Sequence, residues 1–260
     1  MKSEFEPMTD DEKWWENSWK EREYLLRKTF GETYPPQSVF SFSWKSPFVM
    51  VPGGCGLVFP PATPSRISWL YLSLGLTQPL YKQEIHRANV RSEYGWEFGI
   101  LTTEYSQWPL KVLFEIMTYL KESKNRIEIG HRIPLLFYKN KDDFQPHLRN
   151  LENADEHQPF GKMRAMVFWP FLPYLDKFQT STGYFGILIG TVITEEEWSM
   201  AKNFSSTHLL LLLFRAGIKQ VSDISRSAVT ANPIWANEWE RIKQYSQDEA
   251  EIELNKMSTR

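Results

Sequence analysis

The sequence predicts a single α+β domain, and three patterns carry that prediction. Two alternating apolar runs, Ile67 to Gly75 (ISWLYLSLG) and Tyr94 to Thr102 (YGWEFGILT), read as strands paired across the loop between them. Trp108 to Lys121 sets Leu110, Leu113, Phe114, Met117 and Leu120 at helical spacing on one face, with Pro109 suited to the first turn. A long apolar run, Tyr184 to Ile193, ends in Thr194 with Glu197 three residues on, the signature of a capping box that opens a helix. The chain has 260 residues, 42% of them hydrophobic and 15% aromatic, enough to fill one large core.

Taken in order, Asp10 to Phe30 reads as a helix with an aromatic face of Trp14, Trp15 and Trp19, stopped by Gly31 and the Pro35-Pro36 pair. Val39 to Trp44 reads as a strand, and Val51 to Pro64, with its glycines and Pro-Pro pair, as turns. After the helix at 108–121, Ile127 to Phe137 reads as a strand broken around Gly130 and Pro134, and the polar stretch Lys139 to Pro159 as a long surface loop. Met163 to Leu175 reads as a strand followed by irregular packing. The helix from Thr194 runs through Phe204, another covers Ser205 to Ala216 before Gly217, and Lys219 to Asp223 reads as a short strand. A last helix begins near Pro233 and decays into a charged tail. The expected organisation is an N-terminal Trp-rich helix over 1–36, the main domain over 37–230 and a C-terminal helix and tail over 231–260.

Charge and cysteine usage exclude several classes of function. Thirty basic and thirty-two acidic residues give a formal net charge of -2, which provides no positive field for nucleic acid or anionic lipid. The lone Cys55 fits a reducing, cytoplasmic setting, since an intrachain disulfide needs two thiols. The N-terminal stretch is acidic and has no apolar core of a signal peptide. The longest aliphatic run, Leu209 to Leu213 with Phe214, is far shorter than the roughly 20 residues that span a bilayer.

Candidate chemistry is sparse. Cys55 sits in PGGCGLVFPP, where a glycine turn either exposes a nucleophile or simply accommodates a small buried residue. The five histidines are scattered with no metal-ligand spacing, although His86 and His131 would meet if their strands paired. Among Glu84, Glu93, Glu97 and Glu104, Glu97 stands out because Trp96 and Phe98 flank it, and a buried acid needs a partner or an array of donors. Phosphate loops, dinucleotide fingerprints and the GxSxG elbow are absent, so neither cofactor nor metal is expected.

Six strings occur in order between Ile67 and Arg226: WLYLSLGLTQPLY, SEYGWEFGILT, WPLKVLFEIMTYL, IEIGHRIP, FGILIGTVITEEEWSMAKNF and VSDISR. Together they resemble the successive signatures of the Suppressor of fused domain family. The resemblance implies a mixed central sheet flanked by helices, no catalytic activity, and a role in binding another protein. Animal members bind a transcription-factor peptide by strand addition. Bacterial members resemble immunity proteins that neutralise a cognate toxin, and the length of this chain fits the bacterial type. The animal peptide-contacting tyrosine corresponds to Tyr81, with one residue inserted before it. The contacting aspartate falls on Asn89, which removes the charge that holds the peptide.

The resulting expectation is a non-catalytic binding protein with Tyr81, Arg87, Asn89, Arg91 and Tyr94 as partner contacts, aromatic and Arg anchors of the kind interfaces use. Two rival readings remain at this point. One is a hydrolase or transferase using Glu97, His131 or Cys55 in a shared cleft. The other is an adaptor that takes a client segment by strand addition.

Overall fold

The computed structural model describes residues 9–36, 40–41, 54–62, 66–78, 91–123, 125–135, 163–171 and 178–258. Eight strands form one mixed, open sheet: β1 (Phe40–Ser41), β2 (Cys55–Phe59), β3 (Trp69–Leu74), β4 (Arg91–Thr102), β5 (Arg132–Pro134), β6 (Met163–Pro170), β7 (Phe178–Thr180) and β8 (Gly183–Thr194). Their spatial order is β1-β2-β3-β4-β8-β6-β5, with β7 paired to β8 off this path. Every pairing is antiparallel except the central one, β4 with β8. Six helices accompany the sheet among the described residues: α1 (Asp10–Phe30), α2 (Trp108–Ser123), α3 (Glu195–Asn203), α4 (Ser206–Arg215), α5 (Pro233–Ile242) and α6 (Gln247–Ser258).

The alternation of side chains along β8 assigns the helices to faces. Leu188 and Val192 point to one face, where they join Val58, Tyr71, Phe98, Ile100, Met166 and Phe168 under Leu110, Leu113, Met117 and Leu120 of α2. Ile187, Ile189 and Ile193 point to the other. There Leu26 and Phe30 of α1 pack on Leu57, Leu70, Leu72 and Leu74, while α4, α5 and α6 cover Ala165, Val167 and Ile193. Each fully buried Leu or Phe contributes about 1.5–3 kcal/mol, so both faces are firmly closed.

The expected helices at 10–30, 108–121 and after Thr194 are present, and both hydrogen bonds of the Thr194–Glu197 capping box form. Four expectations are corrected. The segment read as turns, Val51 to Pro64, contains β2, an internal strand buried at all five residues. Lys219 to Asp223 forms no strand. It contributes a single parallel bridge, Val221 to Leu101, where β4 and β8 have diverged beyond Gly99 and Ile189. In the broken strand expected at Ile127 to Phe137, residues 127–131 are not strand and the described part that is strand is β5, while Phe137 lies outside the described residues. The tail after α5 is not a charged tail but helix α6, whose Ala250 and Leu254 are fully buried against α4. The expected loop Lys139 to Pro159 lies outside the described residues.

Two glycines explain close approaches in the sheet. Gly186 on β8 lies under the Trp96 ring, and a Cβ there would come within 2.3 Å of that ring. Gly75, at φ +127, ends β3 in a conformation that side chains rarely adopt and turns its N–H towards Glu97.

Candidate functional site

Of the residues expected at a partner surface, Tyr81, Arg87 and Asn89 lie outside the described residues, as do Glu84 and His86. Arg91 is the first residue of β4 and pairs with Tyr184 of β8. Tyr94 stands on the same strand with its ring half-buried, and its hydroxyl donates to the Leu120 carbonyl at 3.0 Å. That contact ties β4 to the end of α2.

Glu97, Cys55 and His131 do not converge on one site. Glu97 is fully buried and accepts hydrogen bonds from Ser73 Oγ, from the Gly75 and Thr77 N–H groups at 3.1 and 2.9 Å, and from Thr77 Oγ1 at 2.7 Å. The register explains why it fits. The β3–β4 ladder ends at Leu72 and Gly99, Ser73 Oγ then takes over the Phe98 N–H, and the Glu97 carboxylate fills the opening. Cys55 on β2 is buried, and loss of solvent, helped by the nearby Glu97 charge, pushes its thiol well above the ordinary range. A thiol held protonated in a strand is a packing residue. His131 sits beside β5, at the opposite end of the strand order from β2 and two strands removed from β8.

Thr77 links Glu97 to a second buried group. Its Oγ1 accepts from Arg22 Nε at 3.3 Å, and Arg22 also donates to Ser18 and to Thr182 Oγ1, with its guanidinium 5.9 Å from the Phe185 ring centroid. α1 therefore buries Ser18, Arg22, Leu26 and Phe30, while Trp14, Trp15 and Trp19 are half-buried beside that stripe. The sequence held a usable signal: Arg22 falls four residues before Leu26 and eight before Phe30, on the apolar face.

The second buried carboxylate, Glu197, explains why two of the sequence strings travel together. As the N3 residue of α3 it bonds the Thr194 N–H at 3.0 Å and the Val229 N–H at 2.9 Å. It is also gripped by both terminal nitrogens of Arg226, which in turn reaches the Val192 carbonyl at 3.0 Å. The TEEE and VSDISR strings thus supply the two halves of one ion pair.

Concave surface gathers around the turn that precedes β5. The Glu128 N–H donates to His131 Nδ1 at 3.1 Å, Gly130 takes φ +79, and the turn is pinned to β6 by two backbone bonds with Phe168. On one side lies a cleft of about 320 Å³ lined by Tyr119, Arg126, Ile127, Gly130, His131, Arg132, Ile133 and Trp198. On the other lies a cleft of about 300 Å³ that includes Trp169, Ser205 to Thr207, Gln247 and Glu251. Arg132 donates to the Ala201 carbonyl and Ser206 Oγ, and its guanidinium lies 5.7 Å from the Trp198 ring. None of the described residues forms a cluster of three or more His, Cys, Asp or Glu able to hold a metal, and no described helix is long and apolar enough to cross a membrane.

No family model and no curated protein matches the sequence. Solved structures do match the fold. A chain of the Sufu–Fu complex crystal structure is similar with a TM-score of 0.62 at 16% identity, over 88% of this chain and 98% of that one. A putative SUFU (suppressor of fused protein) homolog from Neisseria gonorrhoeae matches with a TM-score of 0.54 at 15% identity, over 82% and 97% of the two chains. Drosophila Suppressor of Fused matches with a TM-score of 0.52 at 17% identity, over 74% of this chain but 46% of that protein. The chain therefore has the Suppressor of fused fold, and the resemblance in its six sequence strings is a resemblance in three dimensions.

Proposed function

We propose that this chain is a non-catalytic protein whose work is to bind another protein. The observation that supports this most is the fold likeness to a chain solved in the Sufu–Fu complex, which extends over nearly the whole length of both chains. The residues with catalytic potential point the same way. Glu97 is consumed by four donors, Cys55 is a buried thiol, and His131 is remote from both. In the narrower form of the reading, the partner is a toxin that the chain neutralises in the cytoplasm of a bacterial cell. The fold likeness to the Neisseria gonorrhoeae homolog, over 97% of that chain, supports the bacterial setting of this reading.

The contact residues in this reading are those expected from the sequence, Tyr81, Arg87, Asn89, Arg91 and Tyr94, which lie in the chain after β3 and on β4. Capture with a tagged chain from the native cell, set beside a Tyr81→Ala, Arg87→Ala double variant, tests both parts. A stoichiometric protein partner that the double variant holds at least about tenfold more weakly is expected, as for loss of interface anchors. Turnover of a small substrate without any partner would overturn the reading.

A further inference from the structure

The cleft between α2, β5 and α3 includes none of the buried-network residues and none of the contact residues just named. Among the described residues its basic lining is Arg126, His131 and Arg132, with Tyr119 beside them and no carboxylate. Arg126 is exposed, and no hydrogen bond or ion pair engages it among the described residues. His131 Nδ1 accepts the Glu128 N–H, which leaves Nε2 as the ring's donor. The Tyr119 oxygen accepts from Asn125 Nδ2 at 2.8 Å, which leaves its own O–H to donate. Ile127, Ile133 and Trp198 supply the apolar part of the lining. A lining of hydrogen-bond donors and cations around apolar side chains fits a carboxylate carried on a methylene stem.

The opposite side of the same turn carries a second donor in need of an acceptor. Trp169 is 4% exposed, lines the neighbouring cleft, and its Nε1 meets no acceptor among the described residues. A buried N–H without an acceptor is destabilising, and a passing main-chain carbonyl would satisfy it. Two clefts joined at Gly130 and His131 suit an extended segment better than a single small anion.

We propose that the Arg126–His131–Arg132 cleft binds a glutamate-bearing segment of a protein partner. The inference rests on the protein-binding reading and adds to it the chemistry of one contact. α1 packs over β2, β3 and β8 on the face opposite α2, so a charge reversal on α1, Lys20→Glu, serves as control. The probe is a fluorescein-labelled Gly/Ser peptide with a central Glu-Glu pair, titrated by anisotropy at low salt against its Gln-Gln counterpart. Fluorine NMR of 5-fluorotryptophan-labelled protein, with the resonance assigned by Trp198→Phe, reports the location.

The expected result is binding of the Glu-Glu peptide alone, a moved Trp198 resonance, and about a tenfold loss in Arg126→Glu with Lys20→Glu unchanged. Equal loss in both variants, or no binding, overturns the proposal, as does displacement of the peptide by inorganic phosphate at equal concentration. If the native partner is captured by Arg126→Glu as well as by the unmodified chain, this cleft fails while the protein-binding reading stands. If no partner is captured at all, that reading fails by itself.

Discussion

Glu97 and Glu197 are the two carboxylates wholly buried among the described residues, and the two halves of the molecule neutralise them in different ways. Glu97 receives only dipoles: two hydroxyls and two backbone N–H groups from the end of β3 and the residues after it. Glu197 receives a whole cation, Arg226, together with the N-cap N–H of Thr194 and a second N–H from Val229. Backbone dipoles need a chain bent around the acid, and the positive φ of Gly75 provides that bend. A guanidinium needs only a strand end and a loop within reach, and it staples the segment around 226–229 to α3. The first arrangement closes a gap in the sheet, and the second joins the sheet to the helical layer.

The comparison makes graded predictions. Glu197→Gln is expected to cost most, about 3–5 kcal/mol, because it leaves the Arg226 cation buried without its counter-charge. Urea unfolding would read this as a lower midpoint at unchanged slope. Glu97→Gln keeps an acceptor for the Gly75 and Thr77 N–H groups and strands no cation it directly pairs, so about 1–2 kcal/mol is expected in the same measurement. Equal costs for the two substitutions would break the distinction between dipole and ion-pair neutralisation.

Thr77→Val sharpens it. The hydroxyl donates to Glu97 and accepts from Arg22, so its loss touches both buried charges, and about 1–2 kcal/mol is expected. In a double-mutant cycle this cost should couple to Glu97→Gln and add independently to Glu197→Gln.

The smallest effect belongs to Asp223, a largely solvated acid near Arg226. Its carboxyl is held below the usual range first by the Ser225 hydroxyl, then by backbone N–H groups and the Arg226 charge. A depressed folded-state value means its contribution is complete above the ordinary aspartate range and is lost as pH falls through the lowered value. Asp223→Asn should therefore lower stability slightly at neutral pH and flatten only the acid limb of the stability curve. A changed alkaline limb would contradict this origin.

Much of the fold was legible because its signals are local. The helical spacing of Leu110, Leu113, Met117 and Leu120, the Thr194–Glu197 cap and the alternation in Trp69 to Leu74 each depend on residues within a few positions of one another. β2 was missed because the glycines and the Pro-Pro pair around Cys55 to Phe59 mark turns at its ends, and a five-residue run buried on both faces carries no alternation. α6 was missed for a related reason. Only Ala250 and Leu254 are fully buried, with Met257 partly so, and the sequence looks mostly polar until α4 is present to receive them. The partner cleft was illegible: Arg126 and Arg132 flank a turn whose other wall, Trp198, comes from a helix more than sixty residues later.

By itself the sequence determined the fold class, the main helices and most of the strands, and it carried the six ordered strings that tie the chain to one fold. Helix spacing, strand alternation and caps are written in neighbouring residues. Only the tertiary structure decided which buried charge meets which donor. It set Arg22 against Thr77 and Thr182, Glu197 against Arg226, and Arg132 over Trp198. A charge buried in a protein must be answered at hydrogen-bonding distance, and which distant residue stands at that distance is fixed by packing rather than by position along the chain.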